Sequence, residues 1–285
     1  MRYKNVCVES FGYELPETVI TSLSLEERLA PIYEKLNLRY GRLEMMTGIR
    51  ERRFWDDDIT PSQASIRAAE KALSESGVNK EDIGCLLHTS VSRDFLEPAT
   101  ATVVHDSLGL PSTATIFDIS NACLGFINGM VTLANMIELG QVKAGIVVGC
   151  ESSKRIIDAI IDRILKDPDI TKEKVKMAFA TLTLGSGAAA AVLTHSSSSR
   201  SGHKLLGGVT RAASQHNDLC RIKDDTCFFD PRISPDMYTN STELLKNGAK
   251  LAPATWEAVK HELEWRNPDV DRFFTHQVSA VHSKL

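Results

Sequence analysis

Short apolar runs punctuate this chain at positions that predict buried strands: "NVCVESFG" (5–12), "EDIGCLLHTS" (81–90), "TATIFDIS" (113–120), "KAGIVVGCES" (143–152) and "GSGAAAAVLT" (185–194). Helical periodicity fills several of the intervals between them. That alternation predicts the α/β class. The clearest helix begins at Thr60, where Pro61 suits the first helical position and Gln63 completes a capping box. Ile66, Ala69 and Leu73 then form an apolar face, and Gly77 marks the stop. A second helix follows "NACLGF", because Phe126 or Ile127, Met130, Leu133 or Ala134, and Ile137 recur at helical spacing. Cys123 therefore falls at or near a helix N-terminus.

The same pattern returns, more faintly, near the end. Trp256, Val259 and Leu263 mark a helix face, followed by a Pro-Asp turn and a strand over Asp271 to Thr275. Aligning Asp82 with Asp269 sets Thr89 opposite His276, which favours a duplicated α/β unit with two related strand ends facing one site. The Ser-rich "THSSSSRSGHK" is a natural boundary, giving domains of 1–203 and 204–285. "KDPDITKEKVKM" reads as an inserted surface helix or loop.

Composition narrows the function classes. With 285 residues, 42% of them hydrophobic, there is enough chain for one large domain or two closely packed halves. A net charge of -4 gives no broad attraction to nucleic acid. "MRYKNVCVESFG" lacks a signal-peptide core and no later run is long enough to span a bilayer, so the expected compartment is the cytoplasm. Cys7, Cys85, Cys123, Cys150, Cys220 and Cys227 form no CxxC pair, which argues against a zinc site or a disulfide framework. Most are expected to be small core residues. His88 and His105 lack ligand-like spacing and read as structural or surface residues. Gly185 and Gly187 lack the Lys-Ser/Thr of a phosphate loop and read as a close backbone crossing.

Three residues carry candidate chemistry. Unpaired N–H groups at a helix start favour thiolate, and lowering a thiol pKa from about 8.5 to about 7.5 raises the thiolate fraction at pH 7 from roughly 3% to roughly 25%. Cys123 is thus either a nucleophile or a small residue packed where a strand turns into a helix, with Gly125 and Gly129 permitting close approach. His276 is either a satisfied core histidine or the base serving that thiol. Glu97 precedes Pro98, which biases it to an extended conformation and opens the following helix, so its carboxylate is either an otherwise unimportant group near a helix N-terminus, stabilised by the dipole, or a base.

Taken together, "NACLGF" after "FDIS", "LGSGAAAAVL" and "THQVS" resemble the thiolase superfamily, in its β-ketoacyl synthase III branch. More narrowly, "RRFWDDD", "TSVSRDFLEPATA", "NACLGFINGM", "LTLGSGAAA", "GGVTR" and "LCR" resemble the OleA-type acyl-CoA condensing enzymes of long-chain olefin biosynthesis. The resemblance implies an αβαβα fold of two similar halves, a homodimer, Cys123 as nucleophile and His276 as catalytic histidine. It implies that Glu97 reaches into the other subunit's site as a base. The implied reaction is non-decarboxylative Claisen condensation of two long-chain acyl-CoAs through a cysteine acyl-enzyme, with no metal or redox cofactor.

Departures from the ordinary synthase III pattern favour coenzyme A substrates over carrier protein: Met46 precedes "TGIRER" and Val281 follows the HQ motif where that branch often carries arginines. The resemblance also implies a further segment after "HQVSAVHSKL", with a Gly-Asn motif completing a Cys-His-Asn set. The second half is accordingly expected to be incomplete, its end falling inside the apolar pattern of Val278, Val281 and Leu285. The alternatives are a decarboxylative synthase III, a Cys-His hydrolase, and a catalytically silent thiolase-like dimer or acyl-binding protein.

Overall fold

The computed structural model describes residues 1–222, 237–277, 279 and 280. It opens with β1 (Val6–Glu14), β2 (Thr18–Thr21), α1 (Ser22–Arg28), α2 (Ala30–Lys35), α3 (Arg42–Thr47) and β3 (Glu51–Phe54). Next come α4 (Pro61–Ser76), β4 (Ile83–His88), α5 (Thr100–Leu108), β5 (Thr115–Asp118), α6 (Gly125–Glu138) and β6 (Ala144–Glu151). The rest is α7 (Lys154–Lys166), α8 (Lys172–Leu182), β7 (Gly187–His195), β8 (Cys220–Ile222), β9 (Met237–Thr239) and α9 (Ser241–Leu263).

The five strands expected from the apolar runs between residues 5 and 194 form and share one mixed sheet, in the order β1-β7-β6-β4-β5. β4 is parallel to β5 and β6, whereas β7 is antiparallel to both β1 and β6. Helices cover both faces. Ile146 and Val148 join a core with Ala68, Ala72 and Leu73 of α4 and Val104 of α5. The alternate residues Cys85, Leu87 and Val147 pack with Leu133, Ala134 and Ile137 of α6. Burial on both faces is why these strands read as continuous apolar runs rather than as alternating ones.

The start of α4 follows its sequence signals. Thr60 Oγ1 accepts the Gln63 N–H at 3.2 Å, the Gln63 side chain accepts the Thr60 N–H at 3.0 Å, and Gly77 closes the helix at φ 64°. The alanines of α4 let it lie unusually close to β1. A Cβ on Gly12 would stand 2.2 Å from the Ala68 carbonyl oxygen and 2.5 Å from the Ala72 nitrogen.

The expected surface insertion is instead part of a second core. "KDPDITKEKVKM" supplies the turn after α7 and the first half of α8, and α8 buries Val175, Ala178, Phe179 and Leu182 against Ile157, Ile160, Ile161 and Ile164 of α7. Leu25, Leu29, Tyr33 and Leu43 complete that cluster. Its apolar face continues beyond Met177, past the charged stretch that gave the segment its surface character. Within this core the buried Glu26 carboxylate accepts the Tyr33 hydroxyl at 3.0 Å and the Leu43 N–H at 2.7 Å, and burial together with Glu26 pushes the Tyr33 phenol pKa up.

The C-terminal region departs further from expectation. Trp256, Val259 and Leu263 do lie on a helix, α9, which starts earlier than the pattern showed. Asp271 to Thr275, however, is not a strand. That stretch has no ladder partner among the described residues, and a strand without one leaves its backbone groups unpaired. Phe273 instead meets Trp256 edge-on at 4.8 Å, and the Ala280 N–H donates to the Thr47 carbonyl at 2.9 Å. The proposed equivalence of Thr89 and His276 is therefore not realised: Thr89 is buried and His276 is exposed. Val278, Val281, Leu285 and Cys227 lie outside the described residues.

At the boundary near residue 203 the chain does not leave the first sheet. The Val8 N–H donates to His203, the Leu205 N–H to Val6 and the Tyr3 N–H to Leu206, at 2.8 to 3.0 Å, so the segment runs along β1. Ser186, between Gly185 and Gly187, donates its N–H to Arg53 at 2.9 Å, the close crossing expected there. His88 is buried at the end of β4, and His105 Nε2 pairs with the Pro111 carbonyl at 3.0 Å. Cys7, Cys85 and Cys150 are buried, whereas Cys123 and Cys220 are exposed, and these five are free thiols. No helix among the described residues is long and apolar enough to cross a membrane.

The contact between β1 and α4 can be tested directly. Gly12→Ala forces backbone apart and should destabilise the protein by about 1–3 kcal/mol, whereas Gly208→Ala, whose Cβ would meet nothing within 4 Å, should stay within about 0.5 kcal/mol of the parent. Urea denaturation of the two variants measures the difference.

Candidate active site

Three chain segments meet at the C-terminal ends of β4, β5 and β6, the edge of a parallel sheet where ligands commonly bind. Beyond β5, the Ile119 N–H donates to His88 at 2.8 Å and extends the pairing by one residue. The chain then reverses through Ala122, whose φ of 44° is left-handed and costs about 1–2 kcal/mol in a residue with a Cβ. A 3-10 turn over Ala122–Leu124 carries Cys123 and runs directly into α6. The sequence expectation of a cysteine at a helix start is met.

The glycines of α6 set the height of that helix over the sheet. A Cβ on Gly129 would lie 2.5 Å from Thr89 Cγ2 and 2.7 Å from Val147 Cγ1, and one on Gly125 would lie 3.2 Å from the Thr89 carbonyl oxygen. Close approach at these two positions was the packing reading of the motif. The structure shows that it coexists with an exposed thiol.

The expected depression of the thiol pKa is not found. Although the sulfur is reached by solvent, the protein beneath and around it removes enough water from the thiolate to push the Cys123 pKa up. The neighbouring Cys220 and Glu151 act in the same direction, and only the residue's own N–H opposes them. The helix-start effect was correct in kind. It is outweighed here by desolvation and by two neighbours that sequence distance concealed. Cys85, inside β4, is pushed up further by burial, to about 11.

Glu97 lies on the loop between β4 and α5, and it is exposed together with Phe95 and Leu96. Pro98 does not open the helix as expected. The Glu97–Pro98 peptide is cis, and α5 begins at Thr100 after an N-cap at Ala99. Nor does Glu97 cap the helix. That task falls to Asp118, which accepts the Thr100 and Ala101 N–H groups at 2.8 and 2.9 Å. Asp94, buried in the same loop, accepts the Ser62 N–H at 2.9 Å and its hydroxyl at 2.5 Å at the head of α4. His88 sits between these carboxylates, 3.8 Å from Asp118, and burial lowers its pKa.

His276 is exposed on the segment after α9. Among the described residues, no hydrogen bond or ion pair joins it to Cys123 or Glu97. The structure thus gathers the Cys123 turn and the Glu97 loop on one edge of the sheet, but does not tie His276 to them. Sequence reading missed Glu151, Ser90, Ser92, Asp94 and Asp118, which organise the loop. Their signal was polar residues at the ends of otherwise apolar strands. No group of three or more His, Cys, Asp or Glu side chains among the described residues gathers as a metal site.

Comparison with known proteins identifies the family. The 3-oxoacyl-[acyl-carrier-protein] synthase III family matches residues 117–212, a stretch that begins within β5 and ends beyond β7. An acyl-CoA:acyl-CoA alkyltransferase from Shewanella oneidensis is 41% identical, over 100% of this chain and 81% of its own length. A solved structure of Xanthomonas campestris OleA superposes with a TM-score of 0.91 at 38% identity, covering 100% of this chain and 80% of that one. Structures of that protein include variants replaced at a glutamate, a cysteine and a histidine. A 3-oxoacyl-(acyl carrier protein) synthase III from Xanthomonas oryzae gives a TM-score of 0.90 at 38% identity, over 100% of this chain and 81% of that one. Shared along its whole length with the first of these relatives, the sequence belongs to the acyl-CoA:acyl-CoA alkyltransferase family, within the synthase III-like, thiolase-fold enzymes.

Proposed function

We propose that this protein is an acyltransferase that joins two long-chain acyl-CoAs by non-decarboxylative Claisen condensation. One observation carries the reading. The chain matches an acyl-CoA:acyl-CoA alkyltransferase from end to end and presents an exposed thiol, Cys123, at the head of α6. Coenzyme A thioesters are substrates here, and the proposed chemistry uses no resident metal or redox group.

In the first half-reaction the Cys123 thiolate adds to the thioester carbonyl, the carbon–sulfur bond to coenzyme A breaks, and its thiolate leaves with a proton. Because the Cys123 pKa is raised, little thiolate stands ready at neutral pH, so a base must take the proton as attack begins. We assign that role to His276, which must approach Cys123 when substrate is bound. In the second half-reaction Glu97 removes the α-proton of the second acyl-CoA. The resulting carbanion attacks the acyl carbonyl, and the Cys123 sulfur leaves to give a β-ketoacyl-CoA. The Cys123 N–H and His276 donate to the oxygens that gain charge.

We further propose a homodimer in which Glu97 serves the other subunit's site. Support comes from β5, an edge strand with Phe117 exposed, and from the exposed Phe95 and Leu96 beside Glu97. The cytoplasm is the proposed compartment, in keeping with five described cysteines as free thiols. The second reading is a decarboxylative synthase III, favoured by the match to the Xanthomonas oryzae enzyme. It requires a malonyl thioester as extender.

With a single long-chain acyl-CoA, the parent should form an acyl-enzyme and a β-keto product. Cys123→Ala should lose acylation entirely while Cys85→Ala retains it, as read by intact-protein mass spectrometry; equal labelling of the two would remove Cys123 from the mechanism. His276→Ala should slow condensation by about 10²–10⁴-fold with an unchanged circular dichroism spectrum. Glu97→Gln should still acylate Cys123 yet lose carbon–carbon bond formation by a similar factor, because the amide keeps the shape and lacks the base. Condensation by that variant at the parental rate, or a clear preference for malonyl thioesters, would hand the case to the second reading.

A further inference from the structure

Three donors converge on the carboxylate of Glu151, the last residue of β6. The Val91 N–H reaches Oε1 at 2.8 Å, and the Ser92 N–H and hydroxyl reach Oε2 at 3.1 and 2.8 Å. Val91 and Ser92 form the root of the loop that ends in Glu97. The bonds around them continue the β4–β6 pairing past the strands: the Thr89 N–H donates to Val148 at 2.7 Å, the Cys150 N–H to Ser90 Oγ at 2.7 Å and the Ser152 N–H to Ser92 Oγ at 2.9 Å. Ser92 is buried, and its hydroxyl accepts from one neighbour while donating to Glu151. Asp94 and Asp118 hold the far side of the loop against α4 and α5. Glu151 holds the near side.

Resting on the condensation reading above, we propose that Glu151 is a positioning residue whose carboxylate fixes the root of the Glu97-bearing loop against β6. The chemistry of the contact requires a carboxylate, since three donors need acceptor oxygens and a carboxylate supplies only acceptors. An amide at this position offers one acceptor and turns its NH2 group toward a donor. A displacement of about 1 Å at a reacting group can cost about 10²-fold in rate, so a loosened root would be felt at Glu97. Glu151 has a second, electrical reach. Of the three carboxylates, it is the one whose field acts on the Cys123 thiol, raising its pKa alongside burial and Cys220. Among the described residues, the titratable groups facing Glu151 are Cys123 and Cys150, with Asp94 beside Cys150 and Cys220 beside Cys123; burial pushes the Glu151 pKa itself up, and the bonds from Val91 and Ser92 oppose that shift.

The test uses the full chain and the variants Glu151→Gln, Glu151→Asp and Glu97→Gln. Amide hydrogen exchange over residues 89–99 should be at least about tenfold faster in both Glu151 variants, because each loses bonds that protect the loop root. Unchanged exchange overturns the proposal whatever the activity. Alkylation of Cys123 by iodoacetamide, followed across pH, should have a lower midpoint in Glu151→Gln, which removes the negative charge, and a midpoint near the parent's in Glu151→Asp, which keeps it. With one long-chain acyl-CoA, both variants should form the acyl-enzyme and condense at least about tenfold more slowly than the parent. Condensation within about twofold of the parent also overturns the proposal, provided Glu97→Gln is impaired. If Glu97→Gln itself condenses normally, the condensation reading has failed, and the exchange measurement alone decides the role of Glu151.

Discussion

Everything at the candidate site depends on how closely α6 lies over the sheet. Thr89 sits beneath Gly125 and Gly129, and a methyl group on Gly129 would collide with both Thr89 and Val147. That contact fixes the level of the first turn of α6 and, through Ala122, the place of Cys123 above the strand ends. Thr89 is also the first residue of the loop leading to Glu97, and its N–H is bonded to β6. One contact thus sets the heights of two segments that the proposed chemistry must bring to the same substrate. Tight packing transmits such constraints because interiors have little free volume to absorb a displacement.

The sheet was legible because its strands are short apolar runs, those of β4 and β6 buried on both faces, and α4 was legible because its cap, first turn and stop are local signals. The register, the strand order and the second core were not. The α7–α8 unit was hidden because the charges of "KDPDITKEKVKM" face solvent while the isoleucines of α7 and the apolar half of α8 lie on either side of that window. The segment before His276 was misjudged for the opposite reason. Its residues suit a strand, but a strand is a relation between segments, and no described neighbour pairs with it.

At the site, the cysteine was visible as a position and misleading as a charge. Helix-start stabilisation of a thiolate is a property of local sequence, whereas desolvation and the fields of Glu151 and Cys220 arise from segments tens of residues away. The same holds for the acidic residues. Asp94, Asp118 and Glu151 each end or follow a strand and each satisfies backbone N–H groups that would otherwise face the site unpaired. Their acidity serves the architecture. Glu97, by contrast, is exposed and takes part in none of these bonds.

The sheet order also constrains the timing of folding on the ribosome. β1 pairs along its length with β7, joining Val6 to His195, so β1 lies beside a strand completed about 190 residues later. At roughly 5–20 residues per second, β1 waits about 10–40 seconds for its partner to be synthesised. During that interval its apolar side chains and unpaired edge stand open to neighbouring nascent chains. A sheet that pairs β1 with so late a neighbour thereby makes the synthesis of β7 the step that protects this edge from aggregation.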